Sequence, residues 1–476
     1  MTLNSENLIR NNIFPISVIF SFFPISFIFG NLVTNVNILV FCCIGLFYLR
    51  SNISMNKINF PFKLIFLFFL LILFSTFLNF IESFYSEGYE KSYVARLSKS
   101  ILFLRFFLIL LIVYFLTELN LINFKFFFIT SFLFPVLISL DVIFQYIFGF
   151  NIVGMESSLS GHAETNTGVA VEKTRHNPSF FGDENISGGY IQNFSFFSIL
   201  FLSSLFNKNN NFYHICLTTL VICILATGIM LSGNRMPFYL FLIGLFLLFF
   251  MSRNLKKIIL ISFFCIYLIF IFISSFDKSF KEYHSSFYDN FEHTMLSLPL
   301  RIKNSVLPSV KTKETSQAEK NWELTLNEDA ELNPYKKLVL TALETWKPNK
   351  LFGNGIKSFR YECGKIIINQ NRGLCSNHPN NYYLEILIDL GIVGLILTMV
   401  IALIFLAFLI KNLKKFRKDN SLQNLFLLAA TISLFLATFP IKSTGSIFTT
   451  SNATYVALLA SIILSYKKLQ KKEILG

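Results

Sequence analysis

Charged side chains are scarce in this chain: Asp, Glu, Lys and Arg make up 14% of its 476 residues, whereas hydrophobic residues make up 54%. Soluble domains carry about 25% charged residues, so the composition excludes a globular protein with a water-facing surface. Also missing are paired Cys/His spacings that suggest zinc and Asp/Glu clusters that suggest calcium, so neither metal nor other cofactor is expected. There is no internal repeat, low-complexity tract or separate soluble domain. The first apolar run lacks a small-residue cleavage site, and it therefore reads as a retained span rather than a signal peptide.

What is abundant is apolar length. With 60 Phe and a mean hydropathy of +0.58, runs near 13–30, 34–49, 62–80, 101–118, 126–149, 188–206, 213–232, 236–252, 257–276, 384–410, 422–440 and 452–467 have the length and composition of spans. The expected fold class is all-α: a polytopic membrane protein with about twelve helices, one membrane domain and a large periplasmic loop bearing short helices. Lys and Arg collect on cytoplasmic ends of membrane proteins. Placing the N-terminus inside puts 18 of them on inner segments and 5 on the short outer loops, Lys91, Arg96, Lys99, Arg235 and Lys442. Both termini are therefore expected in the cytoplasm. The net charge of +14 is then mostly topology and attraction to anionic membrane lipids, not nucleic-acid binding.

Two outer segments, 151–187 and 277–383, are too long and polar for simple turns. The second holds a predicted amphipathic helix with Asn333 as cap, Pro334 at its first position, and Tyr335, Val339, Ala342, Leu343 and Trp346 on one face. That face is expected to rest on the membrane or the bundle. Cys42, Cys43, Cys216, Cys223 and Cys265 lie in or near apolar runs and read as small hydrophobic residues. Cys363 and Cys375 instead lie together in the outer segment, where an oxidising periplasm can join them; two free thiols are the alternative.

Polar chemistry concentrates where the second outer segment meets an apolar run, at Cys375-Ser-Asn-His378-Pro-Asn380-Asn381. Pro379 stiffens the entry, Asn380 and Asn381 can cap the helix that follows, and Glu385 and Asp389 fall on one face of it. Asp389 lies in the apolar layer and needs a partner, for which Arg235 and Arg105 are candidates. Gly391 and Gly394 permit close approach of a neighbouring helix. Arg235 sits in a tight turn between two spans. A guanidinium pinned there forms a fork that matches phosphate oxygens, although it also serves as an interfacial anchor. Arg175 and Arg301 are similar candidates on longer loops. His378 taken singly reads as a solvated loop residue; its neighbours favour a functional one.

The run Leu351-Phe-Gly353-Asn-Gly355-Ile-Lys-Ser-Phe359-Arg, followed by His378-Pro-Asn-Asn-Tyr-Tyr-Leu-Glu and by Gly391 and Gly394, resembles the C-terminal core of the O-antigen ligase/polymerase family. The resemblance extends over about 185–410. It implies a bacterial inner-membrane glycosyltransferase that takes glycan from undecaprenyl pyrophosphate, with outward Arg residues on the pyrophosphate and a His assisting the acceptor hydroxyl. One position departs from the pattern. The slot where the family commonly has His holds Asn380, followed by Asn381, and the nearest histidine is His378. Either His378 takes the role or the base is missing, since Asn cannot act as a base near neutral pH and imidazole can.

These residues lead to an expected mechanism. Arg235, with Arg175 or Arg301, stabilises departing pyrophosphate; His378 orients or deprotonates the acceptor; Asn380 and Asn381 help bind and brace the loop; and no metal is required. A ligase would deliver the glycan to lipid A core or another acceptor, whereas a polymerase would join lipid-linked repeat units. The alternative from another class, a transporter or flippase of lipid-linked oligosaccharide, predicts inverted repeats and broken, charged helices at mid-membrane.

Overall fold

The computed structural model describes residues 15–49, 58–85, 91–160, 174–182, 184–206, 211–284, 334–366, 374–419, 421–442 and 445–475. Each of the twelve predicted apolar runs coincides with a helix. These are α1 (Pro15–Ile28), α2 (Gly30–Leu49), α3 (Phe60–Tyr85), α4 (Lys91–Glu118), α5 (Lys125–Phe148), α6 (Ser187–Leu205), α7 (Asn211–Leu231), α8 (Arg235–Met251) and α9 (Lys256–Phe276). After α10 (Pro334–Trp346) and α11 (Phe359–Ile366) come α12 (Tyr382–Lys418), α13 (Leu422–Ala437) and α14 (Thr450–Leu475). Among the described residues, α2–α5, α7, α9 and α12 contain segments long and apolar enough to cross a membrane, while α1, α8, α13 and α14 contain shorter apolar stretches. The protein is an all-α polytopic membrane protein. Two three-residue strands, β1 (Ser158–Ser160) and β2 (Thr174–His176), pair antiparallel in the first polar loop and do not alter that class.

The bundle is built around α6, which packs on α5, α7, α8 and α13 and buries residues on every side, including Tyr190, Phe194, Phe196 and Phe197. Because lipid is as apolar as Leu, close packing rather than exclusion from water must hold such helices together. Phe supplies much of it: Phe127, Phe128 and Phe197 pack edge-on or tilted against Phe426, with centroids 5.2–6.1 Å apart.

Hydrogen bonds establish which helix ends share a side. Asn177 donates to the Leu231 carbonyl at the end of α7, and Asn234, just before α8, donates to the Asn185 carbonyl before α6. Tyr383 in α12 donates to the Thr438 carbonyl after α13, while Arg96 in α4 donates to the Asn354 carbonyl. Asn79 near the end of α3 donates to the Gly353 carbonyl. At the opposite end, Ser17 accepts from the Asn123 amide before α5. The alternation of the helices therefore gathers the starts of α4, α6, α8 and α12 with the ends of α3, α5, α7 and α13.

α10 begins at Pro334 as predicted, and Ala342, Leu343 and Trp346 of the expected face are buried, with Leu338 beside them. Val339 is only half-buried, and the Tyr335 side chain and Asn333 lie outside the described residues. The helix rests on the bundle rather than on lipid, since Leu338, Ala342 and Trp346 cluster with Phe359, Cys363 and Ile388.

Candidate functional site

Near its start, α12 is interrupted. Gly391 has φ 66° and ψ −165°, so the helix halts after Leu390 and resumes at Ile392. The interruption leaves backbone groups without their usual partners, and the loop after α10 takes them up. Ile392 and Val393 amides donate to the carbonyls of Lys350 and Leu351; the Asn354 and Gly355 amides donate to the carbonyls of Ile388 and Asp389. The loop is clamped from its other side by α3, where Ser75 donates to the Phe352 and Asp389 carbonyls and Thr76 accepts from the Ile356 amide. A Cβ on Gly355 would come within 3.0 Å of the Thr76 Cα. The expected approach of another helix at Gly391 and Gly394 is thus corrected. A loop occupies the space at Gly391, and a Cβ at Gly394 would meet the Leu390 side chain of its own helix.

Asp389 is fully buried, yet neither Arg235 nor Arg105 is its hydrogen-bonding partner. Its carboxylate accepts from the Lys357 amide at 2.6 Å, the Ser358 amide at 3.0 Å and the Ser358 hydroxyl at 2.6 Å. One helix thereby caps the N-terminus of another: Asp389 of α12 satisfies the amides that lead into α11 and faces the positive end of its dipole. Arg105 donates instead to the Leu102 carbonyl and the Thr450 hydroxyl. Glu385, one turn before Asp389, accepts from the Ser446 hydroxyl and Ile447 amide and so ties α12 to the loop leading into α14.

The strand of chain carrying His378 is fastened at both sides. Cys363 in α11 and Cys375 form a disulfide with Cα atoms 5.7 Å apart, and Arg360 donates to the Asn377 carbonyl at 3.4 Å. Asn381 is the N-cap of α12: its side chain accepts from the Tyr383 and Leu384 amides, while its Nδ2 donates to the Pro440 carbonyl at 2.7 Å. Asn380 has φ 56°, a region that Asn tolerates better than most residues, and its amide donates to His378 Nδ1 at 3.3 Å. With Nδ1 accepting, the neutral ring carries its proton on Nε2.

His378 is half-buried and faces cations. Burial first, then Arg360 and Lys357, hold its imidazole below the ordinary histidine range. The Lys357 ammonium is likewise held below the ordinary lysine range by burial, then Arg360 and Lys99; Glu385 and Asp389 oppose the shift. Lys442, on the far side of Asn381, has its ammonium 5.2 Å from the Tyr382 ring centroid. Burial pushes it down to about 8.

Arg235, the first residue of α8, lies with its guanidinium 3.5 Å from the centroid of the Tyr283 ring. Tyr283 donates to the Gly233 carbonyl, which fixes that ring against the turn. Beside them is His284, 3% exposed, with no hydrogen bond at either ring nitrogen among the described residues. Burial, then Arg235, pushes it down to about 4. Arg235 and His378 thus stand at the same end of the bundle, but their described contacts share no residue. Arg175 is in β2 with its backbone opposite Leu159; its side chain and the whole of Arg301 lie outside the described residues.

Sequence reasoning missed Lys357, Arg360 and Arg96. Arg96 is 1% exposed, donates to Asn354, forms an ion pair with Glu362 at 3.1 Å and stacks 4.1 Å above Tyr93. The available signal was charge inside the Gly-x-Gly run itself, because Lys357 and Arg360 follow Gly355 within five residues.

Residues 220–399 match the family model described as O-antigen ligase. This interval contains Arg235, His378, both glycines of the Gly-x-Gly run and the broken start of α12. No curated protein matches the chain.

Proposed function

We propose that this O-antigen ligase-type membrane protein transfers a glycan from undecaprenyl pyrophosphate to an acceptor hydroxyl on lipid A core or another glycan. The polar end of the bundle would face the periplasm of a bacterial inner membrane, with both termini in the cytoplasm. Segments 151–187 and 277–383 would form the periplasmic loops, and 185–410 the family-like core. The observation that carries the reading is the fastening of His378 beside Lys357 and Arg360 at the same helix ends where Arg235 begins α8.

In the transfer, the acceptor oxygen forms a bond to the anomeric carbon as the bond from that carbon to the pyrophosphate oxygen breaks. The pyrophosphate departs with the electron pair, and the acceptor proton passes to the departing phosphate oxygen or to water. Arg235, together with Arg175 or Arg301, would neutralise charge that grows on the departing group. His378, kept neutral by burial and by its cationic neighbours, would donate from Nε2 to align the acceptor oxygen. Taking the proton at Nε2 instead requires a tautomer change and exchange of the Asn380 contact. Asn381 would brace the loop through Pro440, and Asn380 would hold the ring. The separation between aligning and proton-accepting roles is experimentally accessible: Gln can donate and align, but it cannot accept a proton near neutral pH.

The test is glycan transfer by purified protein in proteoliposomes supplied with lipid-linked glycan and lipid A core. His378→Ala and Arg235→Ala should each abolish transfer while the protein remains folded in the membrane. Full activity in either variant would remove that residue from the mechanism. A polymerase joining lipid-linked repeat units would use the same donor, and a ligase is the reading proposed. In a deletion strain, loss of all attached chains would support that reading, whereas a single repeat unit left on the core would indicate a polymerase.

A further inference from the structure

Lys357 and Arg360 have the arrangement of an anion receptor that no acidic side chain fills by an ion pair among the described residues. Lys357 has φ 55°, a left-handed conformation that is unfavourable for a residue with a Cβ. Asp389 holds it there by accepting the Lys357 and Ser358 amides. The same contact starts α11, which places Arg360 in its first turn, three positions after Lys357. The Lys357 ammonium is half-buried and makes neither a hydrogen bond nor an ion pair among the described residues. Arg360 gives one Nη to the Asn377 carbonyl, while its buried Nε has no partner among those residues.

The neighbouring acids bond to other groups, and Glu385 and Asp389 act on the Lys357 ammonium only through space. Glu362 pairs with Arg96 and Lys365, Glu385 accepts from Ser446 and Ile447, and Asp389 accepts from Lys357 and Ser358 backbone amides and the Ser358 hydroxyl. A half-buried ammonium and a guanidinium edge without a hydrogen-bonded or ion-paired partner among the described residues can each still take one, and the Asn377 carbonyl holds Arg360 against the segment that carries His378. An ammonium together with a forked guanidinium matches phosphate oxygens.

We infer that Lys357 and Arg360 form a phosphate-binding subsite beside His378, separate from Arg235, and that it selects acceptors carrying a phosphate near the reacting hydroxyl. The assignment of this phosphate to the acceptor rests on the proposed role of His378. The subsite itself rests on the geometry alone. A phosphate ester on the acceptor glycan and the phosphate of an anionic lipid headgroup share the same chemistry, so the experiment must separate them.

The experiment uses the full chain in nanodiscs and follows the His378 ring by side-chain nitrogen resonance, assigned with His378→Gln. In phosphatidylcholine discs, glucose 6-phosphate should raise the titration midpoint of His378, and glucose should not. Lys357→Gln and Arg360→Gln should each weaken this response at least about tenfold, whereas Lys357→Arg should retain it. The melting temperature of each variant identifies any that is misfolded, and Lys357→Arg supplies the comparison in that case. A response produced by phosphatidylglycerol alone, also lost in the Gln variants, would assign the occupant to a lipid headgroup and uphold the subsite. No response in the wild type, or an undiminished response in folded Gln variants, would overturn it. Loss of glycan transfer with all acceptors, with the phosphate response intact, would instead count against the transferase reading.

Discussion

Gly353 and Gly391 touch backbone to backbone. A Cβ on Gly353 would lie 2.5 Å from the Gly391 nitrogen, and one on Gly391 would lie 2.7 Å from the Gly353 nitrogen and 2.2 Å from the Leu351 carbonyl oxygen. Both have positive φ, 70° and 66°. The loop that carries Lys357 and the helix that follows His378 are consequently placed by a contact with no room for a side chain.

Gly391→Ala should therefore destabilise the protein through both strain and collision, by roughly 2–4 kcal/mol. Thermal melting in detergent or nanodiscs should show a lower transition. Gly394→Ala should have a smaller effect, since its φ is not positive and its Cβ would collide with the Leu390 side chain of its own helix rather than with the backbone of the loop. Equal losses at the two positions would contradict this account of the break.

Replacing Asp389 by Ala leaves the Lys357 and Ser358 amides and the Ser358 hydroxyl without the acceptor seen here. The expected loss is on the order of 3–5 kcal/mol. Asn should be milder because it keeps one oxygen acceptor. Proteolysis of the folded protein near α11 should rise in the Ala variant, and an unchanged digestion pattern would count against the capping role.

The Cys363–Cys375 disulfide closes a short loop between α11 and the His378 segment. Loop-closure entropy for that separation is worth about 3 kcal/mol. The Cys363→Ser and Cys375→Ser variants should melt at similarly lowered temperatures and lose sensitivity to reductant. If the wild type and the double variant melted together, the bond would be without structural effect.

For His378, the neutral ring is the active form in the proposed transfer. Burial and the Arg360 and Lys357 cations disfavour protonation, so the acidic limb of the transfer profile should lie below the ordinary histidine midpoint. Neutralising either cation should move that limb upward toward it. A pH–rate profile of Arg360→Gln or Lys357→Gln measures the shift, and a downward movement would contradict the assigned cause.

His284 should make folding sensitive to acid. Its folded-state value is pushed down to about 4, from 6.5 when unhindered. A base that is harder to protonate when folded contributes its full stability above 6.5 and loses it progressively as pH falls toward 4. His284→Phe should flatten the dependence of melting temperature over this window. The same slope in variant and wild type would assign the acid sensitivity to other groups.

Several features were legible without coordinates because they depend on local length and composition. Twelve apolar runs become helices for this reason, and Pro334 starts α10 because proline suits a first helical position. Asn381 as a cap follows from the same kind of rule. The partner of Asp389 was not legible. Cations were expected, but what satisfies it is a backbone some thirty positions earlier, and only chain folding brings those amides to the carboxylate.

The chain's order of residues by itself determined membrane residence, because a run of apolar side chains long enough to span lipid is favourable there whatever its neighbours are. It also determined the polar seam at His378. Only the tertiary structure decided what that seam contains, because electrostatic and hydrogen-bonding partners interact through space. Arg360 reaches Asn377 after the chain turns back on itself, Lys357 faces Arg360 and Lys99 from another helix, and Gly391 admits a loop rather than a helix.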